Sequence, residues 1–325
     1  MKNLKAILLS SLVAFIAIAV GCGGGNTTFT KLPFASDRTP SSTSLFVMNL
    51  DGTNVTAVTN VPANDFWSPS ISANHKKVTF LSAGNVWLIN ADGTGKTQLT
   101  TYMDDSSDNY STAYYAQIAP NAKTVLYGAR DNNGVYSMWS MNVDGTGKTN
   151  LTATLPTGML GCFEGSFSAN SKKIAFACYN NTSYGIYVAD ADGSHQDVVI
   201  PSSSGVYAYL PMFSPDGKKI LFYGSNVGGD IRSNFESSHP RAHLAVTPHG
   251  NSGNWGIYSS NLDGSGIVLV LPNVYEAEIF NSSLYYTLYD SDISKNQLWK
   301  SNVDGTSAVK ISDGTANDYL YLNGD

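Results

Sequence analysis

A five-residue segment, Asn or Asp, any residue, Asp-Gly, then Thr or Ser, recurs six times along the chain, with its Asp-Gly at Asp51-Gly52, Asp92-Gly93, Asp144-Gly145, Asp192-Gly193, Asp263-Gly264 and Asp304-Gly305. Its surroundings recur with it. Two residues before each Asp stands Asn or Asp (Asn49, Asn90, Asn142, Asp190, Asn261, Asn302), and Thr or Ser follows each Gly. Five residues before the Asp there is an aromatic: Phe46, Trp87, Trp139, Tyr187, Tyr258, Trp299. Seven after it there is an aliphatic: Val58, Leu99, Leu151, Val199, Val270, Ile311. Asp-Gly between short β-prone segments marks a hairpin, because Gly takes the positive φ that the turn requires.

The upstream half of each unit repeats as well. Phe34, Phe80, Tyr127, Phe176, Phe222 and Tyr286 each close a short apolar run. A further apolar column precedes that run at Ile71, Ile118, Phe167, Phe213 and Ile279. Each unit therefore reads as four short antiparallel strands, A to D, with A–B and C–D hairpins. Repeats of about 40–50 residues with four strands each predict the blades of a β-propeller. The expected fold is all-β: one six-bladed propeller spanning 29–325. The first copy begins at strand B, with Lys31 to Ala35. The run Asp318-Tyr319-Leu320-Tyr321-Leu322 at the other end is expected to supply the missing strand A, closing the ring and removing the open sheet edges.

Composition agrees with this class. Only 14% of residues are charged, against about 25% in a typical soluble protein, whereas helix surfaces favour Glu, Lys and Arg. Net charge is −6 and there are four arginines, which argues against a nucleic-acid partner, since a phosphate-binding surface needs clustered Lys and Arg.

The repeats resemble those of TolB-type propellers. That family's pattern stands here as Ser214-Pro215-Asp216-Gly217-Lys218-Lys219-Ile220-Leu221-Phe222 and as Leu45-Phe46-Val47-Met48-Asn49-Leu50-Asp51-Gly52. The resemblance implies the fold. Similar repeats serve periplasmic scaffolds, the propeller domains of some serine peptidases, and oligogalacturonate lyases, so it does not select one function.

Residues 1–21 read as a secretory signal: Lys2 and Lys5, then an apolar run from Ala6 to Val20, too short for a membrane span of about 20 residues. Ala19-Val20-Gly21-Cys22 resembles the lipobox of bacterial lipoproteins, which implies lipidation of Cys22, with 22–28 as a flexible tether. The resemblance, with no Asp after Cys22, implies an outer-membrane anchor as the only membrane contact. In an exported protein the remaining cysteines, Cys162 and Cys178, are expected either to form a disulfide across an A–B hairpin or to stay as buried thiols.

Catalytic signatures are sparse. The Asn-x-Asp-Gly turns lack the further oxygen ligands of a calcium loop. No Gly-x-Ser-x-Gly elbow occurs, which removes the peptidase reading. Between the aromatics of strands B and C the spacing is 12, 7, 12, 11, 36 and 13 along the blades, so blade five carries an insertion, 226–254. Long loops on a rigid scaffold are where function concentrates. This one holds His239, His243 and His249, a possible transition-metal set, and would support a metal-dependent lyase or hydrolase acting on acidic oligosaccharides, as in the resembling lyases. The second candidate site is the channel mouth between strands D and A, where Asp65, Trp67, Tyr114, Tyr115, Glu164, Tyr209, Glu276 and Tyr319 combine aromatics with carboxylates. These aromatics could equally pack between blades. The leading expectation is a monomeric, non-enzymatic module without a cofactor that binds an envelope protein or glycan; a divalent metal enters only with the lyase alternative.

Overall fold

The computed structural model describes residues 30–39, 42–58, 67–102, 112–130, 134–225, 255–274 and 277–320. Blade one is built from β1 (Lys31–Thr39), β2 (Ser42–Asn49) and β3 (Thr56–Ala57). Blade two has β4 (Trp67–Ile71), β5 (Lys77–Ser82), β6 (Asn85–Asn90) and β7 (Thr97–Gln98). Blade three has β8 (Thr112–Ile118), β9 (Thr124–Arg130), β10 (Tyr136–Asn142) and β11 (Thr149–Asn150). Blade four has β12 (Gly161–Phe167), β13 (Lys173–Tyr179), β14 (Tyr184–Asp190) and β15 (Asp197–Ile200). Blade five has β16 (Tyr207–Phe213), β17 (Lys219–Ser225), β18 (Trp255–Asn261) and β19 (Val268–Pro272). Blade six has β20 (Ala277–Phe280), β21 (Ser283–Asp290), β22 (Lys295–Asn302) and β23 (Val309–Lys310), and β24 (Asp318–Tyr319) follows.

These strands form six four-stranded antiparallel sheets, a six-bladed propeller. The closing strand is β24, which pairs with β1 through Ala35–Tyr319 and Ser36–Asp318. The C-terminal end thus supplies strand A of blade one, as expected from the repeat.

The repeated columns are the contacts that hold each blade. In all six, the strand-B aromatic faces the strand-C aromatic directly across the ladder, from Phe34–Phe46 in blade one to Tyr286–Trp299 in blade six. Cross-strand aromatic pairs of this kind are a main source of sheet stability. Phe34, Phe80, Tyr127, Phe176 and Phe222 are fully buried.

The Asn-x-Asp-Gly-Thr segment closes on itself. In blade one the Thr53 N–H and hydroxyl both donate to Asp51 Oδ1, at 2.9 and 2.6 Å, and Asn49 Nδ2 donates to Thr53 Oγ1 at 2.9 Å. The same bonds recur around Asp144, Asp263 and Asp304. They hold each of these aspartates below the usual carboxylate range, chiefly through the hydroxyl of the Thr or Ser two residues on. Oδ1 of each of these aspartates is thus committed to its own turn. The glycine does a second job. Gly264 has φ +79°, and a Cβ there would lie 2.2 Å from the Val199 carbonyl oxygen of blade four. The turn of one blade therefore rests against strand D of the blade before it, at a distance only glycine permits.

Candidate functional site

Strand A is the innermost strand of each blade, and in blades two to five it is irregular. Register shifts interrupt the A–B ladders at Trp67/Ser70, Ala113/Tyr115, Phe163/Gly165 and Tyr209/Met212. Two bulge residues adopt left-handed backbone without being glycine, Glu164 at φ +43° and Leu210 at φ +49°. Bulges re-aim side chains and are common beside functional sites. Here Tyr114, Tyr115 and Glu164 beside the bulges bond to strand A of the next blade.

The sequence-derived site residues divide accordingly. Tyr114, Tyr115, Glu164 and Tyr209 lie within strand A, at or beside the bulges rather than on the loops ahead of it, and they form one neighbourhood. The Tyr115 hydroxyl donates to the Gly165 carbonyl of the next blade, and Tyr114 donates to the Cys162 carbonyl at 3.2 Å. Tyr115 and Tyr209 are buried, so their rings pack between blades. Tyr319 stands apart, on β24 in the closing seam. Trp67 opens β4, and its side chain lies outside the described residues. So do Cys22, Asp65, Glu276 and the three histidines His239, His243 and His249. Cys162 faces Cys178 across the A–B ladder, and their sulfurs are bonded at 2.02 Å.

Glu164 is the chemically unusual member. It is 5% exposed; one carboxyl oxygen accepts from the Leu210 backbone N–H, and Oε2 has no partner. Burial pushes its carboxyl up to about 8, so the group is neutral at pH 7. Beside it opens a small cavity with about 20 Å³ of room for water centres, enough for one or two water molecules. The cavity is bounded by Tyr115 and Gln117 of blade three, Ser166 of blade four, Leu210 and Met212 of blade five, and Glu278 of blade six. Ser166, 5% exposed, keeps an Oγ with no partner there.

Above this cavity, at the end of the blades where strand A begins and strand B meets strand C, aromatic rings run across three blades. Tyr114 meets Tyr136 edge-on at 5.0 Å, Tyr136 meets Tyr179 at 6.1 Å, and Phe163 lies 6.1 Å from Tyr179 and 5.5 Å from Tyr184. Tyr184 continues to Tyr209 at 6.2 Å, Tyr209 to Tyr223 at 4.5 Å, and Tyr223 to Trp255 at 6.3 Å. Glycines make room for the rings: a Cβ on Gly128 would lie 2.5 Å from the Tyr114 ring. The outer rings Tyr136, Tyr184 and Trp255 are only half-buried.

Tyr136, Tyr184, Trp255 and Ser166 escaped the sequence reading, although a signal existed for the aromatics. Three residues before the strand-C aromatic, the six blades carry Thr43, Gly84, Tyr136, Tyr184, Trp255 and Asn296. That column is aromatic in three consecutive blades and in no other. Among the described residues, no three of His, Cys, Asp and Glu come together in a metal-binding group.

No protein-family model matches the chain, nor does any curated protein sequence. Solved structures do match in fold. TolB from Acinetobacter baumannii superposes with a TM-score of 0.65 at 14% identity, covering 91% of this chain and 66% of that one, so the chain spans just under two thirds of its length. A TolB from Agrobacterium tumefaciens gives a TM-score of 0.61 at 15% identity, covering 89% of this chain and 99% of that one. An oligogalacturonate lyase in complex with manganese gives 0.54 at 10% identity, covering 88% and 75%. At such identities the likeness concerns the propeller fold.

Proposed function

We propose that this propeller is an exported, lipid-anchored binding module that holds an envelope protein or glycan on the aromatic face of blades three to five. The observation that carries the reading is the column Tyr136, Tyr184 and Trp255, which turns the same position of three adjacent blades into a row of half-buried rings. Large rings with few rotamers and a polar edge suit contact with sugars and with protein side chains. The row also ends at Trp255, directly after the 226–254 insertion in the chain. A lipid on Cys22 and the tether that follows would place this face in the envelope, where such partners are found.

Saturable binding to isolated envelope proteins or polysaccharides tests the reading. Replacing Tyr136 and Tyr184 together by Ala is expected to weaken binding by about tenfold or more, the scale of losing two contact aromatics. Deleting 226–254 is expected to abolish it. Unchanged binding in both variants would move the site elsewhere. The histidines of the same insertion give the lyase alternative its own test: a near-stoichiometric metal in purified protein, lost when His239, His243 and His249 are changed, together with unsaturated products from pectic fragments.

A further inference from the structure

The inner wall of blades three to six combines a small cavity, an acidic rim and two buried oxygens with nothing to bond to. Glu278 and Ser166 line the cavity, and Glu164 is tied to its wall through the Leu210 backbone. Ser166 Oγ and Glu164 Oε2 are each buried without a partner. Buried polar atoms are ordinarily satisfied, so an orphaned pair beside a cavity points to a group that arrives from outside. The rim includes the Glu278 carboxyl and the Ser166 hydroxyl, and none of the lining residues is basic. A carboxyl and a hydroxyl with no base beside them suit a cationic donor, against which Glu164 gives up its proton and turns Oε2 into an acceptor. The volume restricts it further, because an ammonium head is close to water in size whereas a planar guanidinium is not.

We propose that this cavity is a subsite for one primary ammonium group presented by the bound partner, with Glu278 and Ser166 as direct ligands and Glu164 as the counter-charge behind them. This rests on the binding role proposed for the face above and names the chemistry that the face selects. A lysine side chain or an amino sugar would supply the same head group.

Glu164 gives the subsite a pH signature. The groups facing it are Tyr114 and Tyr115 from β8 and Tyr209 from β16, with Glu278 of β20 beyond Tyr115. Burial raises all three tyrosines above the usual phenol range, so they stay neutral. Without ligand, Glu164 holds its proton up to about pH 8. An ammonium nearby favours the carboxylate, so binding at pH 7 releases that proton. Affinity should rise with pH toward 8 and then level off, while the amine remains charged up to about pH 10.4.

The experiment is calorimetric titration of the purified protein with n-butylammonium, with n-butanol and n-butylguanidinium as controls, in buffers of different ionisation enthalpy. Saturable binding of butylammonium alone is expected, with up to about one proton released at pH 7 and none in E164Q. E278Q should weaken binding by about tenfold or more, and S166A by less. Nα-acetyl-lysine methylamide and glucosamine then identify the source; whichever competes with butylammonium carries the natural head group. Equal binding of butanol, or wild-type affinity in both E278Q and E164Q, overturns the subsite. The two proposals fail separately. If Tyr136 and Tyr184 are needed for the envelope ligand but butylammonium does not bind, the face stands and the subsite falls. If butylammonium binds as described and no envelope ligand is found, the reverse holds.

Discussion

The ring has two sides that solve different problems with the same blade. At the closing seam, between blades six and one, polar groups are spent on one another. Arg38 grips Asp318 through both carboxylate oxygens, at 2.8 and 2.9 Å, and its guanidinium lies over the Phe34 and Phe46 rings at 5.3 and 5.5 Å. Asn317 donates to both oxygens of Asp37 at 2.7 Å, and Gln297 donates to the Ala316 carbonyl at 2.8 Å. On the opposite side, blades three to five present rings and keep buried oxygens unpaired. Among the described residues, the buried side-chain atoms without partners include those of Arg130, Glu164, Ser166 and Ser260 in blades three to five, Gln297 Oε1 and Trp299 Nε1 in blade six, and none in blades one or two. A closure made by a two-residue strand needs its polar bonds for stability. A sector whose blades each take all four strands in sequence order, none of them from the far end of the chain, can leave some unmade.

The largest expected effect lies in the unpaired sector. Glu164 is held near 8 in the folded protein, against 4.5 ordinarily, by burial. The folded state therefore binds the proton more tightly than the unfolded chain. The penalty of ionising it is absent below pH 4.5 and grows as pH rises to 8, so this group lowers stability with rising pH. A shift of this size corresponds to roughly 5 kcal/mol. Glu164→Gln should thus gain stability relative to the wild type across that window, read as urea midpoints at pH 5 and pH 8. A parallel pH dependence in the two proteins would erase the distinction between the sectors.

A smaller effect should appear at the seam. Asp318 is 1% exposed, and Arg38→Ala would leave its carboxylate buried without its cation. Breaking a buried pair from one side costs about 3 kcal/mol or more. Unfolding midpoints should fall by that amount, while affinity for ligands of the aromatic face, measured below the transition, stays unchanged. A loss of affinity equal to the loss of stability would mean that the two sides are one cooperative site.

The two sides were not equally legible in the sequence. The blade is written locally: Asn49, Asp51 and Thr53 bond one another, so the turn demands those residue types at that spacing wherever it recurs. The strand-B and strand-C aromatics are visible for the same reason, since each pair must meet across one ladder. Strand A resisted reading because its geometry depends on bulges. Nothing in Phe163-Glu164-Gly165 or Tyr209-Leu210-Pro211 announces a left-handed residue other than glycine, so the sequence places Tyr114, Tyr115, Glu164 and Tyr209 at a loop mouth, whereas they lie within strand A. Tyr319 follows from the repeat as part of the strand that closes blade one, and its pairing with Ala35 places it in that seam, away from the other aromatics.

The smallest effect gives the sharpest control on the comparison. If the sides differ only in what their faces carry, the shared turn should contribute equally in both. Asp51 in blade one and Asp144 in blade three make the same pair of bonds to the following threonine, 2.9 Å from the N–H and 2.6 Å from the hydroxyl. Both aspartates are drawn below the usual carboxylate range by those bonds, the threonine hydroxyl first. Asp51→Ala and Asp144→Ala should therefore give small and equal losses in urea midpoint, and both losses should shrink as acid protonates the wild-type carboxylate. A markedly larger loss for Asp51→Ala would show that the seam recruits the turn itself. Gly52 makes that outcome worth looking for, because its turn rests against Ile311 of blade six across the closure, where a Cβ would lie 2.3 Å from the Ile311 carbonyl oxygen. Equal losses would assign the difference between the sides to strand A and the ends of strands B and C.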